Sequence, residues 1–295
     1  MKLNYTLQSI KLKSEWFDDL GRKKNVYQKI TYKGLNLYFQ FYKFRLHNQE
    51  NEHTFISSIS LLRKETGYST EEVFELLKKM KSAKIIDINN VSRWDYLIDQ
   101  DGSVKDKEIL IITATDSIPT FSKNEEGFYI YVPLKLFEKY KEAGLSEKYY
   151  ALYCLIAKWS NNIERKMFMK IEKIAKHLVF DKDYVNKMIY EMNRNYFMSS
   201  YRKSRKNDFG YSFEHHLLTS TIEKDVESFL TSHKENIEKL IKRIDKKKQK
   251  KQAANIEDEM DTVEEQEEPV KQVQEVKWGF GKKKQDNWGS KRSIH

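Results

Sequence analysis

The chain has 295 residues, a formal net charge of +10, one cysteine and a mean hydropathy of -0.78. The length allows two small domains with separate cores, and the single thiol excludes an intrachain disulfide framework or a cysteine zinc site. No apolar run approaches the roughly 18 residues needed to span a membrane.

A pI near 9.2 favours an anionic partner, nucleic acid first. The competing reading is a chain in which lysine is simply the default surface residue, and the placement of charge has to decide. The N-terminus lacks the apolar core of a signal peptide, so a cytoplasmic protein is expected.

Residues 1–30 are mixed and read as an arm, with Trp16 and Phe17 as an apolar anchor and Arg22, Lys23 and Lys24 as a basic spot. Residues 32–46 carry Leu35, Tyr38, Phe39, Tyr42 and Leu46 at helical spacing. A short helix follows with Ile59, Leu61, Leu62 and Thr66, then a turn at residues 67–69. Ser69, with Glu72 three residues on, has the spacing of a capping box and starts a helix with Val73, Leu76, Leu77 and Met80 inward. Residues 85–88 and 108–113 alternate as strands around a polar insert, residues 89–106.

The same order returns further on. Ile171, Ile174, Ala175 and Leu178 mark a small helix, a turn lies at Phe180 and Asp181, and a second helix carries Val185, Met188, Ile189, Met192 and Tyr196 inward. Two alternating segments, residues 197–201 and 211–217, flank a basic loop. Ile59 and Ile171 are 112 positions apart, and at that spacing Leu62 meets Ile174, Val73 meets Val185, Met80 meets Met192 and Ile85 meets Phe197 with no gap. Upstream, Tyr38 meets Tyr150 and Phe41 meets Tyr153. Helix, turn, helix and hairpin, twice over, predict an α+β, mostly helical fold with two winged helix-turn-helix domains in tandem. Two helical hairpins of generic amphipathic spacing are the alternative.

The expected layout is an arm (1–30), a first winged helix (31–116), a linker strand (117–132), a second winged helix (133–218), a basic amphipathic helix (219–252) and a disordered tail (253–295). That tail opens acidic and ends with two Trp-Gly pairs among lysines. Trp278, Phe280 and Trp288 there suit a docking peptide, a single-strand stacking surface or a fold-back onto the chain itself.

The second unit has the better DNA surface. Outward positions on its second helix hold Lys182, Asn186, Lys187, Tyr190, Asn193 and Arg194, and the wing supplies Arg202, Lys203, Arg205 and Lys206. Asn suits adenine, Lys and Arg suit guanine or phosphate, and a cationic wing follows the backbone or enters the minor groove. The corresponding helix of the first unit exposes Glu71, Glu72 and Glu75, which phosphates would repel, so that unit is expected to make a homodimer or partner contact.

Enzyme signals are weak. There is no phosphate-binding Gly-x-x-x-x-Gly-Lys-Ser/Thr loop. His215 and His216 are adjacent and face opposite sides of a strand, and the acidic residues show no two-metal spacing. Cys154 lies in an apolar run and reads as an inert buried thiol. No enzyme activity, cofactor or metal is expected.

The order winged helix, strand linker, winged helix over roughly residues 30–245 resembles the plasmid replication initiators of the Rep type. That resemblance implies a first domain that dimerises and a second that reads repeated origin sequences in double-stranded DNA. The helix from Ser69 also looks like the first domain of DnaD-type replisome organisers, which implies recruitment of a replicative helicase, helicase loader or other replication protein through the tail. The reading is thus a plasmid or phage replication initiator. A winged-helix transcriptional regulator and a protein-interaction module that binds no DNA are the alternatives.

Overall fold

The computed structural model describes residues 10–21, 23–46, 53–116, 129–160, 166–204 and 211–264; of 166, 168, 202–204, 211–212 and 250–264 it describes the backbone alone. The fold is α+β and mostly helical. The chain divides into two compact units, Met1–Asp245 and Lys246–His295.

The N-terminal residues, expected as an arm, are part of the core. Strand β1 (Ile10–Lys13) buries Ile10 and Leu12, and the 3-10 turn Ser14–Phe17 buries Trp16 and Phe17. Burying each such ring contributes roughly 1.5–3 kcal/mol. Trp16 also donates its indole N–H to Asp116 at 2.7 Å, and Lys13 pairs with the same carboxylate at 2.6 Å.

Helix α1 (Val26–Phe41) starts at Val26 rather than at Tyr32, because Asn25 and Gln28 close a reciprocal capping box. It is broken at Thr31, where φ is 62°. Then come β2 (Thr54–Ser57), α2 (Ile59–Thr66), α3 (Thr70–Ser82), β3 (Ile86–Ile88) and β4 (Leu110–Ala114). Ser69 caps α3 by accepting from the Glu72 amide, but the Glu72 side chain pairs with Lys33 of α1 instead of completing the box.

Strand β5 (Tyr129–Val132), expected as a linker, runs antiparallel to β1, with Ile10 opposite Val132. Helix α4 (Leu134–Glu142) stacks Phe137 on Tyr150 with ring centres 4.0 Å apart. The order of the first part then repeats as α5 (Lys148–Trp159), β6 (Lys166–Phe168), α6 (Ile171–Leu178), α7 (Lys182–Arg194), β7 (Met198–Ser204) and β8 (Tyr211–Leu217). Each copy closes a three-stranded antiparallel sheet with its last strand in the middle, β2–β4–β3 and β6–β8–β7.

The 112-residue spacing holds in the backbone. Helices α2 and α6 start and stop in step, and so do α3 and α7. Gly67 and Val179 both end their helices in the left-handed region, with φ of 76° and 55°. Lys84 and Tyr196 share a second such position, with φ of 58° and 59°. The copies differ beyond β3 and β7, where residues 89–109 of the first are replaced by a shorter connection in the second.

The two copies share one apolar core, joined through α1 and α5. Tyr27 of α1 donates its hydroxyl to the Leu178 carbonyl at the end of α6 at 3.1 Å, and Tyr32 lies against Phe180. Cys154 sits fully buried in that core, and desolvation pushes its thiol far up, so it is inert.

Helix α8 (Glu223–Glu264) extends past residue 252, so the residues from Ala253 to Glu264, expected to be disordered, are helical. The stretch holds neither Gly nor Pro, and its Ala253, Ala254, Glu257, Glu259, Met260 and Glu264 are helix-favouring residues. No described helix is long and apolar enough to cross a membrane.

Candidate nucleic-acid interface

Helix α7 is capped by Asp181, whose carboxylate accepts from the Asp183 amide at 2.8 Å. Val185, Met188 and Met192 are fully buried beneath it. Lys182, Asn186 and Lys187, at i, i+4 and i+5, are exposed on its N-terminal half, and Arg194 is exposed at its end. Lys182 pairs with Glu172 of α6 at 2.6 Å, which raises the lysine and lowers the carboxylate from their ordinary ranges. Lys187 lies 3.9 Å from Glu191, which accepts the Tyr149 hydroxyl. Such exposed pairs contribute little to stability and exchange readily for phosphate oxygens.

Two residues expected on this outward face are not free on it. Asn193 is fully buried. It donates to the Ile189 carbonyl at 2.7 Å and to Ser200 Oγ at 3.1 Å, and its side-chain oxygen accepts from the Ser200 amide at 2.8 Å. Ser200 Oγ in turn lies 2.8 Å from Nδ1 of the buried His215. Asn193 therefore anchors a polar patch in the core and offers nothing to a base.

Tyr190 does point away from the core of the copy, but α8 covers it. It is 9% exposed and lies outside the main apolar cluster, and its hydroxyl donates to Asp245 of α8 at 2.8 Å. That bond is the main reason its hydroxyl is held above the usual phenol range, with desolvation second. Helix α8 reaches this point from the outer face of the β6–β8–β7 sheet, where His233 packs on His216 with ring centres 4.6 Å apart. Beneath that helix Glu214 is fully buried and accepts the Tyr201 hydroxyl.

The hairpin of β7 and β8 pairs Arg202 with Phe213 and Lys203 with Ser212 in backbone register. Arg205 and Lys206, at its tip, lie outside the described residues, as do Trp278, Phe280 and Trp288 of the tail. Exposed Lys170, Lys173 and Lys176 on and before α6 were missed by a reading confined to the second helix and the wing. Their spacing of three along a short amphipathic helix was the available signal. Lys173 lies over the half-exposed Trp159 ring at 5.6 Å.

The matching face of α3 is closed and more acidic. Glu71 and Glu75 are exposed, and Phe74, the counterpart of Asn186, is buried under Trp94 from the insert, with rings 5.4 Å apart at 90°. Lys81 holds the insert by donating to the Val91 carbonyl at 3.2 Å and pairs with Asp87 at 3.0 Å.

Comparison with protein families gives no match, and comparison with curated proteins gives none either. Among solved structures the chain is similar to one described as the crystal structure of Pi initiator protein in complex with iteron DNA. The two are 12% identical with a TM-score of 0.39, over 72% of this chain and 98% of that one. A score that low carries no argument.

Proposed function

We propose that the chain is a double-stranded-DNA-binding replication initiator made of two winged-helix units. In this reading each copy of helix, strand, two helices and hairpin is one unit, and only the second reads DNA. The observation that carries it is the contrast between equivalent helices: α7 exposes Lys182, Asn186 and Lys187 where α3 has Thr70, a ring-covered Phe74 and Glu75. A reading helix meets base edges with its N-terminal turns, where these three side chains stand. Asn186 suits an adenine edge, the lysines suit guanine or phosphate, and Arg202, Lys203, Arg205 and Lys206 would follow the backbone from the wing. The first unit then serves contact with a second copy or with another replication protein. The choice of initiation over transcription rests on the resemblance to Rep-type initiators. It also gives the tail a use, because Trp278, Phe280 and Trp288 would dock a helicase or its loader. The reading assigns no catalysis and places the protein in the cytoplasm.

Duplex binding measured across a salt series tests it. Changing Arg202, Lys203, Arg205 and Lys206 together to alanine should weaken binding to every sequence. It should also lower the slope of log K against log salt by about one for each phosphate that those side chains neutralise. Asn186→Ala should relax preference at one base by about 1–3 kcal/mol. Binding untouched by both changes would refute the assignment. Deleting residues 265–295 should abolish plasmid replication while leaving duplex binding intact; replication that survives the deletion would remove the docking role of the tail.

A further inference from the structure

Helix α8 touches α7 at Tyr190, on the side that the reading above turns toward DNA. Opposite the buried Val185, Met188 and Met192, the outward face of α7 runs through Lys187, Tyr190 and Arg194. Tyr190 stands in the middle of it and is held by Asp245 at 2.8 Å. Helix α8 is fixed on the way there by Ile237, which is fully buried, and by His233 against His216. From His233 to Asp245 the helix rises about 18 Å, so it spans from the sheet to α7 as one rod.

The major groove is about 12 Å wide, and one α-helix with its side chains is about 10–12 Å across. A groove of that width takes one helix. Helix α7 cannot enter past its first turns while α8 is held at Tyr190, because Tyr190 is only about 6 Å beyond Asn186.

We infer that α8 is an autoinhibitory strap: docked through Tyr190 and Asp245 it covers the middle of the outward face of the reading helix, and duplex DNA displaces it. This rests on the reading of α7 as the DNA-contacting helix. Displacement frees Tyr190 and opens the ground beside Arg194 to the groove.

The test uses the full chain and a duplex containing its preferred site, found by selection from random sequence. Tyr190→Phe removes the bond to Asp245 without changing charge or packing volume. It should tighten duplex binding roughly two- to tenfold, the range one hydrogen bond supports. Hydrogen exchange should show the α8 amides before Asp245 losing protection when duplex is added. An unchanged or weaker affinity for Tyr190→Phe overturns the strap, as does an α8 equally protected in the complex. If neither the wild type nor Tyr190→Phe binds duplex at any salt concentration, the assignment of α7 falls and the strap falls with it. Binding by both with equal affinity sinks the strap alone.

Discussion

Phe74 on α3 and Asn186 on α7 occupy the same place in the two copies, yet one is buried under Trp94 and the other is open to solvent. A few residues on, Lys78 of the first copy matches Tyr190 of the second, and here the cover is reversed: Lys78 makes a surface pair with Glu75 at 2.8 Å, while Tyr190 lies under α8. Each copy thus covers a different residue of the same helix, using material from a different part of the chain. The first uses its own insert between β3 and β4, which is anchored by the Lys81 and Val91 bond. The second uses a helix that follows its sheet. A cover built from the unit's own hairpin is a fixed part of that unit. A cover made by a following helix can leave without unfolding the sheet.

The contrast extends into the cores, where it can be tested. Ile112 is the buried centre of β4; His215 takes that place in β8, paired with Met167 on β6 as Ile112 is with Phe55 on β2. Burial, with His216 adding, holds the His215 imidazole down at about 4, against about 6.5 when free. Between those values the unfolded chain binds a proton that the folded chain refuses. Stability is therefore full above about pH 6.5, falls as pH drops through the window and levels off below about 4. For one fully buried group the loss is on the order of 3 kcal/mol. His177 and His233, also lowered chiefly by burial, add slopes of the same sign. His215→Ile, which installs the first copy's residue, should flatten this acid limb in urea melts at pH 7 and pH 4.5. The slope is the readout, because the change also strands the Ser200 hydroxyl. Equal pH dependence in the two proteins would remove His215 as the cause.

The next effect separates Asn193 from its counterpart Lys81. Asn193→Ala strips three buried hydrogen bonds and leaves the Ser200 amide without its acceptor, so about 1–3 kcal/mol of stability should be lost. Lys81→Ala breaks partly exposed bonds and should cost under about 1 kcal/mol. Similar losses from both would mean that the polar patch is no more specific than the surface pairing.

The smallest effect is at the left-handed position after each short helix. Val179 holds φ 55° with a branched side chain, whereas Gly67 holds φ 76° with open space where a side chain would go. Val179→Gly should raise stability by up to about 1 kcal/mol, and Gly67→Ala should lower it by about 1 kcal/mol. Thermal melts in which both changes act in the same direction would show that the position is not equivalent in the two copies.

Local periodicity made much of this legible. The stripes of Val73, Leu76, Leu77 and Met80 and of Val185, Met188, Ile189 and Met192 fixed both helices, and the constant spacing of 112 carried the duplication down to the two left-handed positions. The sequence misleads where the decisive neighbour is distant. Tyr190 is outward by any helical count, and only a residue 55 positions later covers it. Trp16 and Phe17 read as a loose anchor because β1 finds its partner, β5, more than a hundred residues away. Asn193 lies at the edge of the apolar stripe, and its burial follows from the histidine and serine on the neighbouring strands. Lys182, Asn186, Lys187 and Arg194, whose exposure depends on nothing distant, stand where their spacing put them.

The bond from Tyr27 to the Leu178 carbonyl has a practical corollary. That carbonyl belongs to the last turn of α6, where a helix runs out of internal donors. The donor comes from the opposite end of the duplicated region, beside the Tyr32 ring that shelters Phe180. Cutting out residues 133–218 as a minimal reagent would strip α6 of both. Anyone seeking crystals or spectra of the second copy should keep the leading helix attached, since that helix supplies both contacts.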